Sequence, residues 1–450
     1  MTDASARALS GLALVAALTS CSLVVEPTQH VRPPGPAQGE VCSTDEDCED
    51  GLLCERRACA PCWASQQVVG QALPDAPSSV SVLVTEERLH AAASAGGEAW
   101  LLSADITDGT LSEAAFVSIN AQLGLLQVNA VALARAPRWR SDPSEIEATL
   151  PVLAAVGSDE VGPALFVGQL EPALSGDVVA LGSGADPIGP LALVPSVTAG
   201  EHTTAPTRPL VWALWRQRTG DGPELRGYLA SGARFLAPFS EGVVDGDFFM
   251  REGTEGLVVF GAPDAETIGS VVPDAGLSSF RVLPTPARQG PASVAALGEH
   301  RFVLGYTDGS RVHVAEYDCL QGCGTAQLSA RLRHFERMVS PDLVFSPAGP
   351  VLGYRHLEEG REPTVELAVL RREHGLRQGW VAGSGFSATM LAAPSELPTL
   401  RLAAPRETAL GTWPMGAAWA RSSDGAGWSV EVSLFRACGT RPEDFPPTPP

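Results

Sequence analysis

From about residue 70 to residue 438, apolar positions come in short runs broken by turn residues. No long stretch shows the three-to-four spacing of an amphipathic helix. The clearest unit is Arg301-Phe-Val-Leu-Gly-Tyr-Thr-Asp-Gly-Ser-Arg-Val-His-Val-Ala-Glu-Tyr317, two β-rich runs on either side of Asp308-Gly309. Asp-Gly between such runs predicts a tight hairpin, because that turn needs positive φ. Similar hairpins are predicted at 99–119 (turn at Asp108-Gly109), 152–170, 210–229 (turn near Asp221-Gly222), 257–272, 351–370 and 417–435 (turn at Asp424-Gly425). They begin about 53 residues apart on average. A further apolar run precedes most of them, as at 125–134, 191–197, 243–250 and 294–297. Each unit therefore has room for three or four strands.

A repeat of about 40–50 residues holding four strands is the signature of a β-propeller blade. One such unit cannot cover both of its faces, so the units must stack around an axis and the ring must close. The expected fold is all-β, a β-propeller of seven blades over residues 63–438. Trp-Asp and kelch Gly-Gly signatures do not recur. Ser422-Ser-Asp-Gly-Ala-Gly-Trp428 resembles the Asp-box of sialidase-type propellers, one residue short, and occurs once. A pair of β-sandwich domains is the rival architecture.

The N-terminal pattern is different. Arg7 precedes an apolar run from Leu9 to Leu18. That run is too short to span a bilayer, which takes about 20 residues, but suits the core of an export signal. It ends in Leu18-Thr-Ser-Cys21, which resembles the lipobox of bacterial lipoproteins. The resemblance implies that residues 1–20 are a signal peptide and that Cys21 carries lipid as the mature N-terminus. Each buried methylene contributes about 0.8 kcal/mol, so several acyl chains would hold the protein on a membrane. Ser22 rather than Asp follows Cys21, which points to the outer membrane, on its periplasmic face or at the cell surface. Residues 21–40 are rich in Pro and Gly and read as an extended, lipidated tether.

Nine cysteines stand at 21, 42, 48, 54, 59, 62, 319, 323 and 438. With Cys21 lipidated, the remaining eight suit disulfides in an oxidising compartment. Cys42, Cys48, Cys54, Cys59 and Cys62 form a C-x5-C-x5-C-x4-C-x2-C segment. It resembles the small Dickkopf-like cysteine-rich modules of bacterial surface proteins. A module of residues 41–62 has almost no core, so bridges must hold it together. Five is odd. If Cys319 bridges Cys323, one cysteine of the segment is left for Cys438, and the expectation is a Cys62–Cys438 bond joining the two ends of the main domain. Cys59-x2-Cys62 has ligand-like spacing, but no second pair follows and the nearest His are His30 and His90, so no metal is expected.

Composition limits the function. Asp and Glu number 52 against 31 Lys and Arg, giving a net charge of −21, and every cation is Arg. Phosphate backbones would be repelled, so no nucleic-acid partner is expected. With 44% hydrophobic residues, most of the chain can fold. No nucleophile elbow, His-Glu-x-x-His pair or phosphate-cradling loop occurs, and no cofactor or catalytic residue is assigned. Eight His are scattered. His313 faces away from Val312 and Val314 on its strand. Asp245, Asp247 and Glu252 lie close together in sequence, and Trp212, Trp215 and Trp419 sit in strand runs where core packing is expected. Residues 439–450 are a Pro-rich tail.

The expected function is that of a lipid-anchored cell-envelope protein whose propeller binds a protein or glycan partner without catalysis. The alternative is a propeller-type glycoside hydrolase or lyase working through carboxylates at the central channel. The axis discriminates between them. Apolar and scattered polar side chains would fit a binder; clustered carboxylates with Arg or His would fit the enzyme.

Overall fold

Residues 151–157 and 211–217 are buried at every position. A strand that buries both faces needs cover on both, so it must lie in a sheet sandwiched between two others. The architecture of this chain, seen in a computed structural model, meets that demand with a ring of sheets. The structure describes residues 52–438 apart from 56–57, 62–63, 108–109, 140–145, 183–185, 197–209, 231–233, 253–255, 275–279, 286–287, 299–300, 309–311, 319–328, 332–337, 347–348, 357–363, 374–378, 383–389, 392–399, 406–411 and 424–426. The expected signal peptide (1–20) and tether (21–40), most of the cysteine-rich segment and the Pro-rich tail (439–450) lie outside the described residues.

β1 (Leu52–Glu55) and β2 (Ala58–Pro61) form a separate two-stranded hairpin, followed by β3 (Ala64–Leu73). The first sheet is β4 (Pro77–Val84), β5 (Arg88–Ala95), β6 (Glu98–Thr107) and β7 (Thr110–Leu111), with β8 (Val117–Ser118) also on β6. One helical turn, α1 (Asn120–Leu123), leads to the second sheet, β9 (Gln127–Trp139), β10 (Ile146–Ser158), β11 (Pro163–Gln169) and β12 (Ser175–Ala180). The third is β13 (Asp186–Pro195), β14 (Val211–Thr219), β15 (Gly222–Leu229) and β16 (Arg234–Phe239). The fourth is β17 (Phe249–Glu252), β18 (Val258–Gly261), β19 (Thr267–Val271) and β20 (Arg281–Pro284). The fifth is β21 (Ser293–Gly298), β22 (Arg301–Thr307), β23 (Val312–Asp318) and β24 (Ser329–Arg331). The sixth is β25 (Met338–Ser346), β26 (Gly349–His356), β27 (Thr364–Glu373) and β28 (Gly379–Ala382), with β29 (Met390–Leu391) beside β27. The last sheet holds β30 (Leu400–Ala403), β31 (Thr412–Ser423) and β32 (Gly427–Cys438), and its outermost strand is β3 from the other end of the chain. All these pairings are antiparallel.

The first strand of each sheet packs against the first strand of the next: β4 on β9, then β13, β17, β21, β25 and β30, which returns to β4. An apolar cluster fills each junction between consecutive sheets, including that between the last and the first. The fold is an all-β β-propeller, as the repeat pattern implied.

Around the axis the inner strands are sheet edges, whose backbone groups need partners. Side chains of the neighbouring sheet supply several. Ser79 Oγ accepts from Val131 N (2.8 Å) and Ser81 Oγ from Leu133 N (3.0 Å). Asp342 Oδ2 accepts from Leu402 N (2.7 Å), and Arg401 Nε donates to the Val80 carbonyl (3.3 Å).

Between the sheets, close approach is bought by missing side chains at an equivalent place. A Cβ on Gly305 would lie 2.9 Å from Leu343, one on Gly353 2.7 Å from Leu402, and one on Gly416 2.6 Å from Val84. Each of these glycines is on the second strand of its sheet and faces the first strand of the next. Two of them sit in the same string, Val-Leu-Gly-Tyr at 303–306 and at 351–354, whose tyrosines are both buried. Buried arginines tie down loops: Arg288 donates to the carbonyls of Ala262, Pro263, Ala265 and Gly290, and Arg216 to those of Gly189, Val244 and Gly246. A guanidinium carries enough donors in a fixed fork to satisfy several carbonyls at once.

The predicted hairpin at 99–119 is present as β6 with β7 and β8, Thr107 standing opposite Thr110. β6 also pairs with β5, a strand the sequence did not predict, joined through Gly96-Gly97, where both residues have positive φ (58° and 83°). The run Leu89-His-Ala-Ala-Ala-Ser-Ala95 is buried on both faces and so shows no alternation, which hid β5. The ends of the domain are also joined by backbone pairing. β3 runs along β32 from Ala64 opposite Arg436 to Leu73 opposite Trp428; the expected Cys62–Cys438 bond involves Cys62, which lies outside the described residues.

Candidate functional site

The ring's axis holds a cavity of about 150 Å³ lined by residues of β4, β9, β13, β17, β21, β25 and β30. Most of its wall is apolar, from residues such as Leu83, Leu133, Leu193 and Phe345. Into it come Arg135 of β9, Glu252 of β17, Asp342 of β25 and Arg401 of β30. Arg251, next to Glu252, stands close enough to act electrostatically on Asp342.

Each charged group is placed by its strand. Asp342 interrupts the apolar run of β25 and is 5% exposed. Its Oδ2 is held by the Leu402 N–H. Burial pushes its carboxyl up to about 6, outweighing the opposite pull of Arg401 and Arg251. Arg401, flanked by Leu400 and Leu402, places Nη2 3.7 Å from Glu252 Oε2 while its Nε holds Val80. Burial, reinforced by Arg401, lowers Arg251 to about 10, so it stays charged at neutral pH. Among the described residues, neither Arg251 Nε nor Glu252 Oε2 has a hydrogen-bond partner. In composition this is the carboxylate-and-arginine cluster expected of a hydrolase. In size it is not: ligand sites usually enclose about 300–1,000 Å³.

The other residues singled out in the sequence fall elsewhere. Asp245 pairs with Arg218 (3.3 Å), away from Glu252. His313 Nε2 lies 2.8 Å from Asp308 Oδ2, across its own hairpin, and its ring stacks on Tyr306. Trp212, Trp215 and Trp419 are buried in the core. Cys54 and Cys59 are direct cross-strand partners in the β1–β2 hairpin, and Cys438 ends β32 opposite Thr412. Cys21, Cys42, Cys48, Cys62, Cys319 and Cys323 lie outside the described residues, as do the side chains of the other three. Among the described residues, no three His, Cys, Asp or Glu side chains converge as a metal ion would require. No helix among them is long and apolar enough to cross a membrane.

Sequence reasoning missed Asp342, Arg401 and Arg251. The available signal was a charge inside an otherwise apolar strand, as in Pro341-Asp-Leu-Val-Phe345 and Leu400-Arg-Leu402.

No protein-family model matches the sequence, and no curated protein is similar to it. Solved structures that it resembles include the WD40 domain of Toxoplasma gondii coronin (11% identity, 90% of each chain covered, TM-score 0.41). A second is the Aleuria aurantia lectin in complex with alpha-methyl-L-fucoside (13% identity, 71% of this chain and 96% of the lectin, TM-score 0.40). A third is a Dyadobacter fermentans protein of unknown function (10% identity, 84% and 100% covered, TM-score 0.40). Likeness at this level carries no information about activity or ligand, and the fold stands on the chain's own ring of sheets.

Proposed function

We propose that the chain is a lipid-anchored protein of the bacterial cell envelope whose propeller is a rigid scaffold for binding a partner, without catalysis. The observation that carries the binding reading is the state of the axis. A propeller hydrolase would need its carboxylates there, with room for substrate. Here the cavity is about 150 Å³, Asp342 is committed to Leu402, and Glu252 to Arg401. Those contacts hold sheets together and leave the outer surfaces of the ring for recognition.

The finer points of the reading are these. Each four-stranded sheet is one blade, which makes the ring seven-fold. Cys21 carries the lipid and residues 21–40 hold the ring off the outer membrane. Disulfides fix the cysteine-rich segment to the ring. In support, the β3–β32 register, in which Ala64 meets Arg436, would set position 62 against Cys438 if continued two residues outward. Non-reducing peptide mapping that pairs Cys438 with Cys319 or Cys323 would overturn that bond.

The anchor is tested by Cys21→Ala, which should move the protein from the membrane fraction to the soluble one. An unchanged mass and unchanged fractionation would remove lipidation. Binding is tested by presenting the full chain in detergent to envelope proteins and to arrayed glycans. Absence of a saturable partner in both would remove the scaffold reading.

One observation favours the hydrolase as a second reading. Asp342, raised to about 6 by burial, lies beside Glu252 and two arginines in the axial cavity, and a carboxyl raised toward neutrality can serve as a general acid. Cleavage of chromogenic glycosides that is abolished by Asp342→Asn would establish it; inertness toward them would leave the binder.

A further inference from the structure

A second and larger concavity, of about 740 Å³, opens between the first and second sheets. Its polar wall is Glu87, Arg88, Asp105, Thr107, Gln169 and Glu171. Ile106, Leu150 and Pro172 supply apolar surface, with no aromatic ring among the described residues that line it. The volume is within the range of ordinary ligand sites.

Arg88 organises the groove. Its Nε donates to Asp105 Oδ1 (2.6 Å) and its Nη1 to Glu171 Oε1 (3.3 Å), so one guanidinium ties a residue of the first sheet to the loop after β11. Among the described residues, no hydrogen bond engages Arg88 Nη2, Asp105 Oδ2 or Glu171 Oε2. Behind this pair lies His90, 1% exposed, with Nδ1 2.9 Å from Ser103 Oγ. Its Nε2 lies 3.4 Å from Glu171 Oε1 without hydrogen-bond geometry, so among the described residues this buried nitrogen has an electrostatic partner only. A movement of Glu171 by a few tenths of an ångström toward the ring would supply the bond.

We propose that this groove binds a neutral saccharide, a reading that rests on the scaffold function and names its ligand class. Sugar hydroxyls both give and accept hydrogen bonds, and the groove offers the two kinds side by side: guanidinium and carboxamide donors, carboxylate and hydroxyl acceptors, held in place by the Arg88 bridge. The apolar floor suits the C–H face of a pyranose. Glu87, Asp105 and Glu171 against Arg88 leave the groove negative, so uronic, sialic and phosphorylated sugars are repelled. Engagement of Glu171 by a hydroxyl seats its carboxylate against His90.

The test uses the full chain and a panel of neutral, amino and acidic oligosaccharides, with an Arg-rich peptide as competitor. Binding of at least one neutral oligosaccharide is expected. Arg88→Ala and Glu171→Gln should each weaken it at least tenfold, while Arg218→Ala on the third sheet leaves it unchanged. Because Arg88 and Glu171 are partly exposed, both variants should fold, as near-UV circular dichroism will show. Binding only of acidic sugars, binding only of the peptide, or saccharide binding indifferent to both substitutions would overturn the assignment. If the chain holds an envelope protein but no saccharide, this inference fails and the scaffold reading survives. If it holds neither, both fail.

Discussion

Asp342→Asn removes a titrating carboxyl from the propeller's axis while keeping an oxygen to accept the Leu402 N–H. In the folded chain that carboxyl is raised to about 6, because burial outweighs the two nearby arginines. In the unfolded chain it titrates near 3.9. The folded state thus binds this proton more tightly, and its contribution to stability is fully present below about pH 4. It is lost as pH rises through about 6 and is constant above. At about 1.4 kcal/mol per pH unit, the loss is about 3 kcal/mol. Asn has no such dependence. The stability difference between parent and variant should therefore shift by about 3 kcal/mol in the variant's favour between pH 3 and pH 7. Parallel urea titrations at unit pH steps measure it, since other groups contribute equally to both chains. Profiles that stay parallel across the range would refute the argument, for they would mean that Asp342 titrates alike in both states.

Gly416→Ala sets a Cβ 2.6 Å from Val84 and 3.1 Å from Leu89, at the junction of the last and first sheets. A loss of about 1–3 kcal/mol is expected from overpacking, and an unchanged thermal midpoint would contradict the close approach. Trp419→Phe takes away the indole N–H that Glu431 Oε2 accepts at 3.1 Å and should cost about 1–3 kcal/mol in denaturant titrations; parity with the parent would show that contact to be idle. Deletion of 64–73 strips β32 of its outer partner and should give an open ring that self-associates in size-exclusion chromatography. A monomer with the parent's melting behaviour would show that β3 is dispensable.

Much of the fold was legible because hairpins announce themselves locally. Asp221-Gly222 and Asp308-Gly309 marked two connections correctly, and the runs at 125–134 and 294–297 are inner strands β9 and β21. What escaped were segments whose cues are not local. β3, Ala-Ser-Gln-Gln-Val-Val-Gly-Gln-Ala-Leu, is a weak strand by composition and becomes one through a partner more than 350 residues away. The Ala-rich β5 has no alternation because both of its faces are covered. The spacing glycines at 305, 353 and 416 read as ordinary strand residues until the adjacent sheet is in place. The charged axis was illegible for a related reason. Glu252, Asp342 and Arg401 come from three sheets, and only closure of the ring makes them neighbours.

The pairing of β3 with β32 makes completion of this molecule an event of the last moment. Ribosomes deliver residue 64 long before residue 436, so the earliest strand of the body must wait, without a mate, until nearly everything else has been made. Contacts of such sequence separation are slow to form. Until then the final wedge shows a bare rim and the first one an uncovered flank. Any cellular factor that shelters the growing chain would find its work concentrated on those two surfaces.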